Sequence, residues 1–391
     1  MRKWISGGFG IAVGFGIATA FAGTLIGVGF LSGQEILRFF GAFGWQGLIG
    51  IFAAAAAFAL FGLVVMATAK RMGTSNFEKV IAPPWGVFPK ALNLVMTLLL
   101  FGVITIMLAA AGELMESVFS LPGILGSALM AALSCLTVLF GKKGLFSSFC
   151  VVVPAMLLAS VLTGGWGVAA GQEPLFSSFS DASLQAAPAL WLSTALFISY
   201  NIMGAVSVLV PLGNEASTRK ELLFGAVCGA AFLGLMAAAM CAAMLKNHAA
   251  VFSASMPMQA VAAALNPALG KVYGALLFLG VFTTTAGMTF SMTTRLLEYR
   301  LPAFLTRPVL AVAISVLAAA GSRVGFSSLV GSVYPVYGYI GFVVLGCLTA
   351  NYFYQKKKAA QAAQTQTRME SVFTGSTESV FTDSGDNSSA E

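Results

Sequence analysis

Charge is what this chain has least of. Asp, Glu, Lys and Arg make up only 9% of its 391 residues, while 58% are hydrophobic; in a soluble domain about a quarter of residues are charged. An ordinary soluble globular protein is therefore excluded. Histidine is nearly missing, with His248 alone, so a transition metal would find little to bind. The five cysteines, Cys135, Cys150, Cys228, Cys241 and Cys347, lie in apolar runs and form no CxxC pair. That argues against a zinc site or disulfide framework and for thiols packed as small hydrophobes. There is no P-loop and no metal triad. The glycines of "GVGF" lack the strand context and third glycine of a dinucleotide fingerprint. Neither an enzyme nor a resident cofactor is expected.

What is present instead is a series of apolar runs near or above the roughly twenty residues that cross a bilayer as a helix. Hydropathy and helix breakers place ten spans at 5–43, 45–69, 88–116, 121–140, 144–163, 187–212, 219–245, 271–297, 304–321 and 327–354. The expected class is an all-α polytopic membrane protein. The start, "MRKWISGGFGIAVGFGIATAFAG", imitates a signal peptide, but the apolar run continues to Phe43 without a convincing cleavage site and reads as the first span. That span is too long for one straight crossing. It must tilt, break or extend past the membrane.

Lys70, Arg71, Lys142, Lys143, Arg219, Lys220, Arg295, Arg300 and Lys356 to Lys358 fall on one side of this topology. Arg38, Lys246, Lys271 and Arg323 fall on the other. The positive-inside rule makes the first side cytoplasmic, with both termini there and the protein in the plasma membrane. The net charge of +7 follows from that asymmetry and needs no nucleic-acid partner; the expected partners are the lipid bilayer and a small-molecule solute. Ten spans split into two sets of five, the second entering from the opposite side, which makes an inverted repeat of 5–163 and 187–354 within a transmembrane domain of 1–355. Residues 356–391 are polar, repeat "ESVFT", and read as a disordered cytoplasmic tail.

The centre of the first span is the stretch "GTLIGVGFLSGQE", Gly23 to Glu35. Irregular backbone at membrane depth survives only where protein buries it or a cavity lies beside it. Gly23, Gly27 and Gly29, followed by Ser32, Gly33, Gln34 and Glu35, predict an unwound stretch between two half-helices. Span six is interrupted at the corresponding place by "SYNIMG", Ser199 to Gly204, where Asn201 and Gly204 are poor helix formers. Two interrupted spans at matching positions of two halves point to a transporter binding site.

These residues resemble a known group. "GTLIGVGF" is similar to the glycine-rich break in the first helix of amino acid/polyamine/organocation (APC) transporters with the LeuT fold. "GVGFLSGQE", with "SYN" in span six, looks most like the YkvI-type bacterial membrane proteins of that superfamily. The resemblance implies a five-plus-five inverted repeat with spans one and six unwound at the midplane. Free amides from about Val28 would suit a carboxylate and free carbonyls near Ser199 an ammonium, so the site of Gly23, Thr24, Gly27, Val28, Gly29, Ser32, Ser199, Tyr200, Asn201 and Gly204 would receive a zwitterion. In many sodium-coupled relatives two adjacent hydroxyls of span eight bind the ion, which here implies Thr284 and Thr285 opposite the backbone of Ala22 to Leu25. The alternative is that these threonines bond back to their own helix.

An intramembrane carboxylate reads as functional by default. Glu35 either carries a proton or joins a gating charge cluster with Arg38 and Glu113, and the cluster is the favoured reading. Tyr334, Tyr337 and Tyr339 are candidates for the outer pathway. The function expected is a secondary active transporter of a small zwitterionic solute, an amino acid first of all, coupled to sodium or protons. The alternative is a ligand-sensing membrane protein that uses the same fold without net transport, as in germinant receptors.

Overall fold

The computed structural model describes residues 2–81, 89–140, 142–176, 180–297, 302 and 304–382. Arg300 and residues 383–391 of the expected tail lie outside the described residues, as do the side chains of Lys142, Lys143 and Cys150. All regular structure among the described residues is helical. The helices are α1 (Arg2–Leu25), α2 (Val28–Leu31), α3 (Gln34–Phe39), α4 (Gln46–Met72), α5 (Phe77–Ile81), α6 (Pro89–Phe119), α7 (Gly123–Phe140), α8 (Lys142–Ala170), α9 (Leu190–Glu215), α10 (Arg219–Lys246), α11 (His248–Val251), α12 (Pro257–Leu265), α13 (Pro267–Leu297), α14 (Arg307–Gly321) and α15 (Phe326–Thr382). Two short 3-10 turns, Gly41–Phe43 and Ser322–Val324, join α3 to α4 and α14 to α15. Seven described helices are long and apolar enough to cross a membrane, and shorter apolar helical stretches run over Val13–Leu25, Gly123–Leu139 and Pro154–Ala170.

Helix ends follow local chemistry. Thr218 and Glu221 form a reciprocal capping box at the start of α10, which satisfies two amides that the first turn leaves open. Gly73 closes α4 in the left-handed conformation, where the missing side chain removes the steric penalty. Glycines also let the helices approach closely. Ile17, Ala18 and Phe21 of α1 pack onto Gly225 and Gly229 of α10, and Phe21 also lies against Gly62 of α4. Gly338 and Gly341 of α15 lie against Leu196 and Ser199 of α9. Without a hydrophobic drive between helices in lipid, such small-residue contacts are how membrane helices associate.

Three sequence expectations meet the structure here. The long first span does break: α1 stops at Leu25, and two turns of helix, α2 and α3, complete it. Span six does not break. The helix α9 runs through Ser199 to Gly204 without interruption, although it contains Asn201, Gly204 and Pro211. Its polar groups are satisfied without unwinding, since Asn201 Nδ2 donates to Phe197 O at 2.9 Å and Ser199 Oγ lies 2.9 Å from Leu196 O and 2.6 Å from Gly338 O. The tail is helical to Thr382, where disorder was expected. Its Lys, Ala, Gln and Met residues are good helix formers, and they extend a helix already nucleated in the transmembrane part.

Candidate binding site

The interruption in span one is built from one residue pair and held from several sides. Gly27 adopts an extended conformation, φ −97° and ψ 175°, and precedes α2. Its amide donates to Leu25 O at 3.2 Å, and the Ile26 amide donates to Ala22 O at 3.1 Å. The carbonyls of Gly23 and Thr24 are therefore left at the end of a 24-residue helix, where the helix dipole is negative. On the far side, Ser32 Oγ donates to Gly29 O at 3.0 Å and accepts from the Gln34 amide at 3.3 Å. Gly33 turns the chain with φ +83°. Tyr273 of α13 donates to Leu31 O at 2.7 Å, and its oxygen lies 2.9 Å from Ser160 Oγ of α8. The Met258 amide of α12 donates to Ser32 O at 2.8 Å.

The other end of this segment is tied down as well. Ser193 Oγ donates to Phe39 O at 2.8 Å, and the Ala186 amide donates to Arg38 O at 3.0 Å. Ser327 Oγ of α15 accepts from both Gln34 Nε2 at 2.7 Å and Arg38 Nη2 at 2.8 Å. An aromatic group surrounds α3: Phe39 and Phe40 contact Phe197, and Phe39 contacts Tyr200.

Glu35 sits inside this frame. It is 4% exposed. Tyr200 of α9 donates a hydrogen bond to its Oε2, and the Tyr334 ring of α15 stacks on Tyr200 with centroids 4.9 Å apart. The carboxyl group lies over Gly29, where a Cβ would collide with Oε1. Among the described residues Glu35 makes no ion pair. The expected cluster with Arg38 and Glu113 is thus not formed: Arg38 points to Ser327, and Glu113 is half-buried on α6. Residues three apart on a regular helix share a face, but Tyr200 draws Glu35 to one neighbour and Ser327 draws Arg38 to another.

The remaining expected residues separate into two sets. Gly23, Thr24 and Gly27 are partly exposed, and a Cβ at Gly23 or Gly27 would meet nothing within 4 Å. Gly204 of α9 is exposed with the same open space. Val28, Gly29 and Ser32 are buried. Ser199 packs onto α15 through its backbone and hydroxyl. In α13, the Thr285 hydroxyl donates to Val281 O at 2.6 Å and Thr284 is half-buried. Ala22 and Leu25 are buried, and their carbonyls already accept from Ile26 and Gly27. Reading the sequence alone left Tyr273, Ser160 and Ser327 unassigned; a lone hydroxyl in an apolar helix was their only signal. Of the candidate tyrosines, Tyr334 stacks on Tyr200, Tyr337 donates to Leu98 O at 3.0 Å and Tyr339 is exposed.

The architecture matches solved membrane proteins. An inward-facing structure of Mhp1, a nucleobase-cation-symport-1 family transporter, superposes with a TM-score of 0.64 at 15% identity, covering 87% of this chain and 76% of that one. MhsT in complex with L-phenylalanine gives a TM-score of 0.59 at 16% identity, over 88% and 91%. The chain has the LeuT fold. A manganese transporter of Eremococcus coleocola shares this LeuT-type arrangement, with a TM-score of 0.55 at 13% identity over 87% and 85%. In sequence, the chain is similar to the membrane protein YkvI of Bacillus subtilis, 29% identical over 336 residues, which is 84% of this chain and 93% of that one. YyaD of the same organism is 25% identical over 330 residues, 83% and 93% of the two chains. No family model matches the chain.

Proposed function

We propose that the protein is a secondary active transporter of a small amine-bearing solute, an amino acid first of all, working by sodium- or proton-coupled alternating access across the cell membrane. The observation that carries this reading is the interruption at Ile26–Gly27. It leaves the carbonyls of Gly23 and Thr24 at a helix C-terminus, beside open space at Gly23 and Gly27. A negative helix end suits an ammonium or a monovalent cation, and α2 begins at the next residue, Val28, with amides that suit a carboxylate. The zwitterion reading thus rests on span one alone, because α9 offers no free helix end.

One face of α1 packs on α10 and α4. The opposite face carries Gly16, Thr19 and Gly23, at least partly exposed, beside the exposed ring of Phe15. Gly204 and Ser207 of α9 are exposed as well. By contrast, the exposed faces of α7 and α14 carry Ile124, Leu125, Leu129, Val309, Val312, Val316 and Leu317, as a surface against lipid tails should. A five-plus-five inverted repeat, with both termini on the cytoplasmic side, fits this arrangement and supplies two states for alternating access.

Uptake by proteoliposomes tests the reading. Purified protein is reconstituted and given radiolabelled amino acids and simple amines, under sodium and proton gradients in turn. Accumulation above equilibrium under one gradient is the expected result. Binding without flux would favour a sensor over a transporter, and neither binding nor flux of any amine would remove the solute class.

A further inference from the structure

A buried carboxylate needs a counter-charge or a proton. Transferring an ionised carboxyl group into a low-dielectric interior without a cation is strongly unfavourable. Glu35 is buried, and what touches it is the Tyr200 hydroxyl, backed by the stacked ring of Tyr334, and the bare backbone of Gly29. The other charged or titratable groups on the surrounding elements are engaged elsewhere. Arg38 of α3 donates to Ser327, Tyr337 of α15 to Leu98 O, and Tyr273 of α13 to Leu31 O. Asn201, next to Tyr200 on α9, donates to its own helix.

The choice of partner matters. A lysine or arginine would hold the carboxylate permanently ionised. A hydroxyl both donates and accepts. Tyr200 can therefore donate to the carboxylate or accept from the carboxylic acid. Either protonation state is left hydrogen-bonded, as a group that changes state during a cycle requires. Glu35, Tyr200 and the Tyr334 ring stacked on it also sit on three different elements, α3, α9 and α15. Movement of α9 relative to α3 opens this cage.

We infer that Glu35 is the proton-carrying group of this protein: it is enclosed by Tyr200 and Tyr334 as the neutral acid, and it releases its proton to water when that cage opens. The O–H bond of the acid breaks, the proton passes to solvent on the open side, and the carboxylate left behind is hydrated until it is reprotonated. Enclosure over the interruption in span one thus requires a proton, which links closure to proton uptake. The inference deepens the transport proposal and rests on it for the role of the proton in driving a solute.

Two measurements test it and separate its failure from that of the transport reading. Difference infrared spectroscopy of the purified full-length protein, titrated with pH, should show a protonated-carboxyl band that is absent from Glu35→Gln. Tyr200→Phe, which removes the bonding hydroxyl and keeps the ring, should move that band; it serves also if Glu35→Gln does not fold. A band that survives Glu35→Gln, or that ignores Tyr200→Phe, overturns the assignment whatever the transport result. In proteoliposomes with a labelled amino acid mixture, Glu35→Gln should keep exchange of solute between the two sides and lose accumulation driven by a pH gradient. Wild-type accumulation in this variant overturns the coupling role. Loss of exchange together with accumulation overturns it too, because Glu35 would then hold the solute. If the band behaves as expected but the wild type moves no labelled solute, the transport reading fails and the coupling role falls with it.

Discussion

Tyr273 donates its hydroxyl proton to the carbonyl of Leu31, 2.7 Å away and 242 residues distant in sequence. Because a phenol has one proton to give, the Ser160 hydroxyl 2.9 Å away must donate to Tyr273 in turn. The last carbonyl of α2 is thus capped by a chain of two side chains from α13 and α8. Tyr273→Phe keeps the ring and strands two buried groups, Leu31 O and Ser160 Oγ. Leaving buried polar groups unpaired costs about 1–3 kcal/mol each. The expected result is a lower thermal midpoint in detergent, with Ser160→Ala giving a smaller drop because it leaves the Tyr273–Leu31 bond in place.

Two glycines of the interruption should respond in opposite ways. Gly33 has φ +83°, and a Cβ there would lie 2.8 Å from Met258 Cγ and 3.0 Å from Met244 Sδ. Gly33→Ala therefore combines backbone strain with a clash and should destabilise the protein by about 1–3 kcal/mol. Gly27 has an ordinary φ of −97° and open space around it. Gly27→Leu should fold with a near-normal thermal midpoint and fill the space beside the Gly23 and Thr24 carbonyls. Uptake of labelled amino acids should then fall to background. Unchanged uptake in this variant would remove the proposed site from the interruption.

The contact of α9 with α15 offers a matched pair. A Cβ on Gly341 would come within 2.7 Å of the backbone carbonyl of Ser199. Gly346, about a turn further along α15, is exposed and would meet nothing. Gly341→Val should force the helices apart at a cost of about 1–3 kcal/mol, and Gly346→Ala should be neutral or slightly stabilising through helix propensity. Because Tyr200 and Tyr334 stack across the same pair of helices, Gly341→Val should also loosen the hold of Tyr200 on Glu35. Chemical denaturation and the pH response of the carboxyl band read the two effects separately.

How much of this was legible in the sequence depends on where each group finds its partner. The break in span one was visible because Gly23, Gly27 and Gly29 fall together, and glycine density is a local signal. Seven long apolar helices among the described residues were legible for the same reason, since hydropathy is summed along the chain. The continuity of α9 was not visible. Asn201 and Gly204 look like breakers, but Asn201 finds an acceptor four residues back, at Phe197 O, and its helix never opens. Glu35 was assigned to Arg38 because helix spacing suggests neighbours three residues apart. Its actual partner, Tyr200, comes from α9, and pairings across helices leave no mark in spacing. Tyr334 was noticed only as one of three tyrosines, with nothing to separate it from Tyr339.

Ser327 is the remaining residue that joins the broken span to the second half of the chain. Its oxygen accepts from the Gln34 amide and the Arg38 guanidinium together. Gln34 Oε1 and Arg38 Nε have no partner among the described residues, so little reserve exists if Ser327 is lost. Ser327→Ala should strand an amide and a charged group, and hydrogen bonds to charged groups contribute about 1.5–3 kcal/mol. Ser327→Thr keeps the hydroxyl and should recover most of that loss. Since this bond ties α3 to α15 about a turn from Glu35, Ser327→Ala should also weaken enclosure of the carboxyl group. Faster hydrogen–deuterium exchange of the α3 backbone in Ser327→Ala, reversed in Ser327→Thr, is the expected result; equal exchange in all three proteins would show that Ser327 does not hold the segment closed.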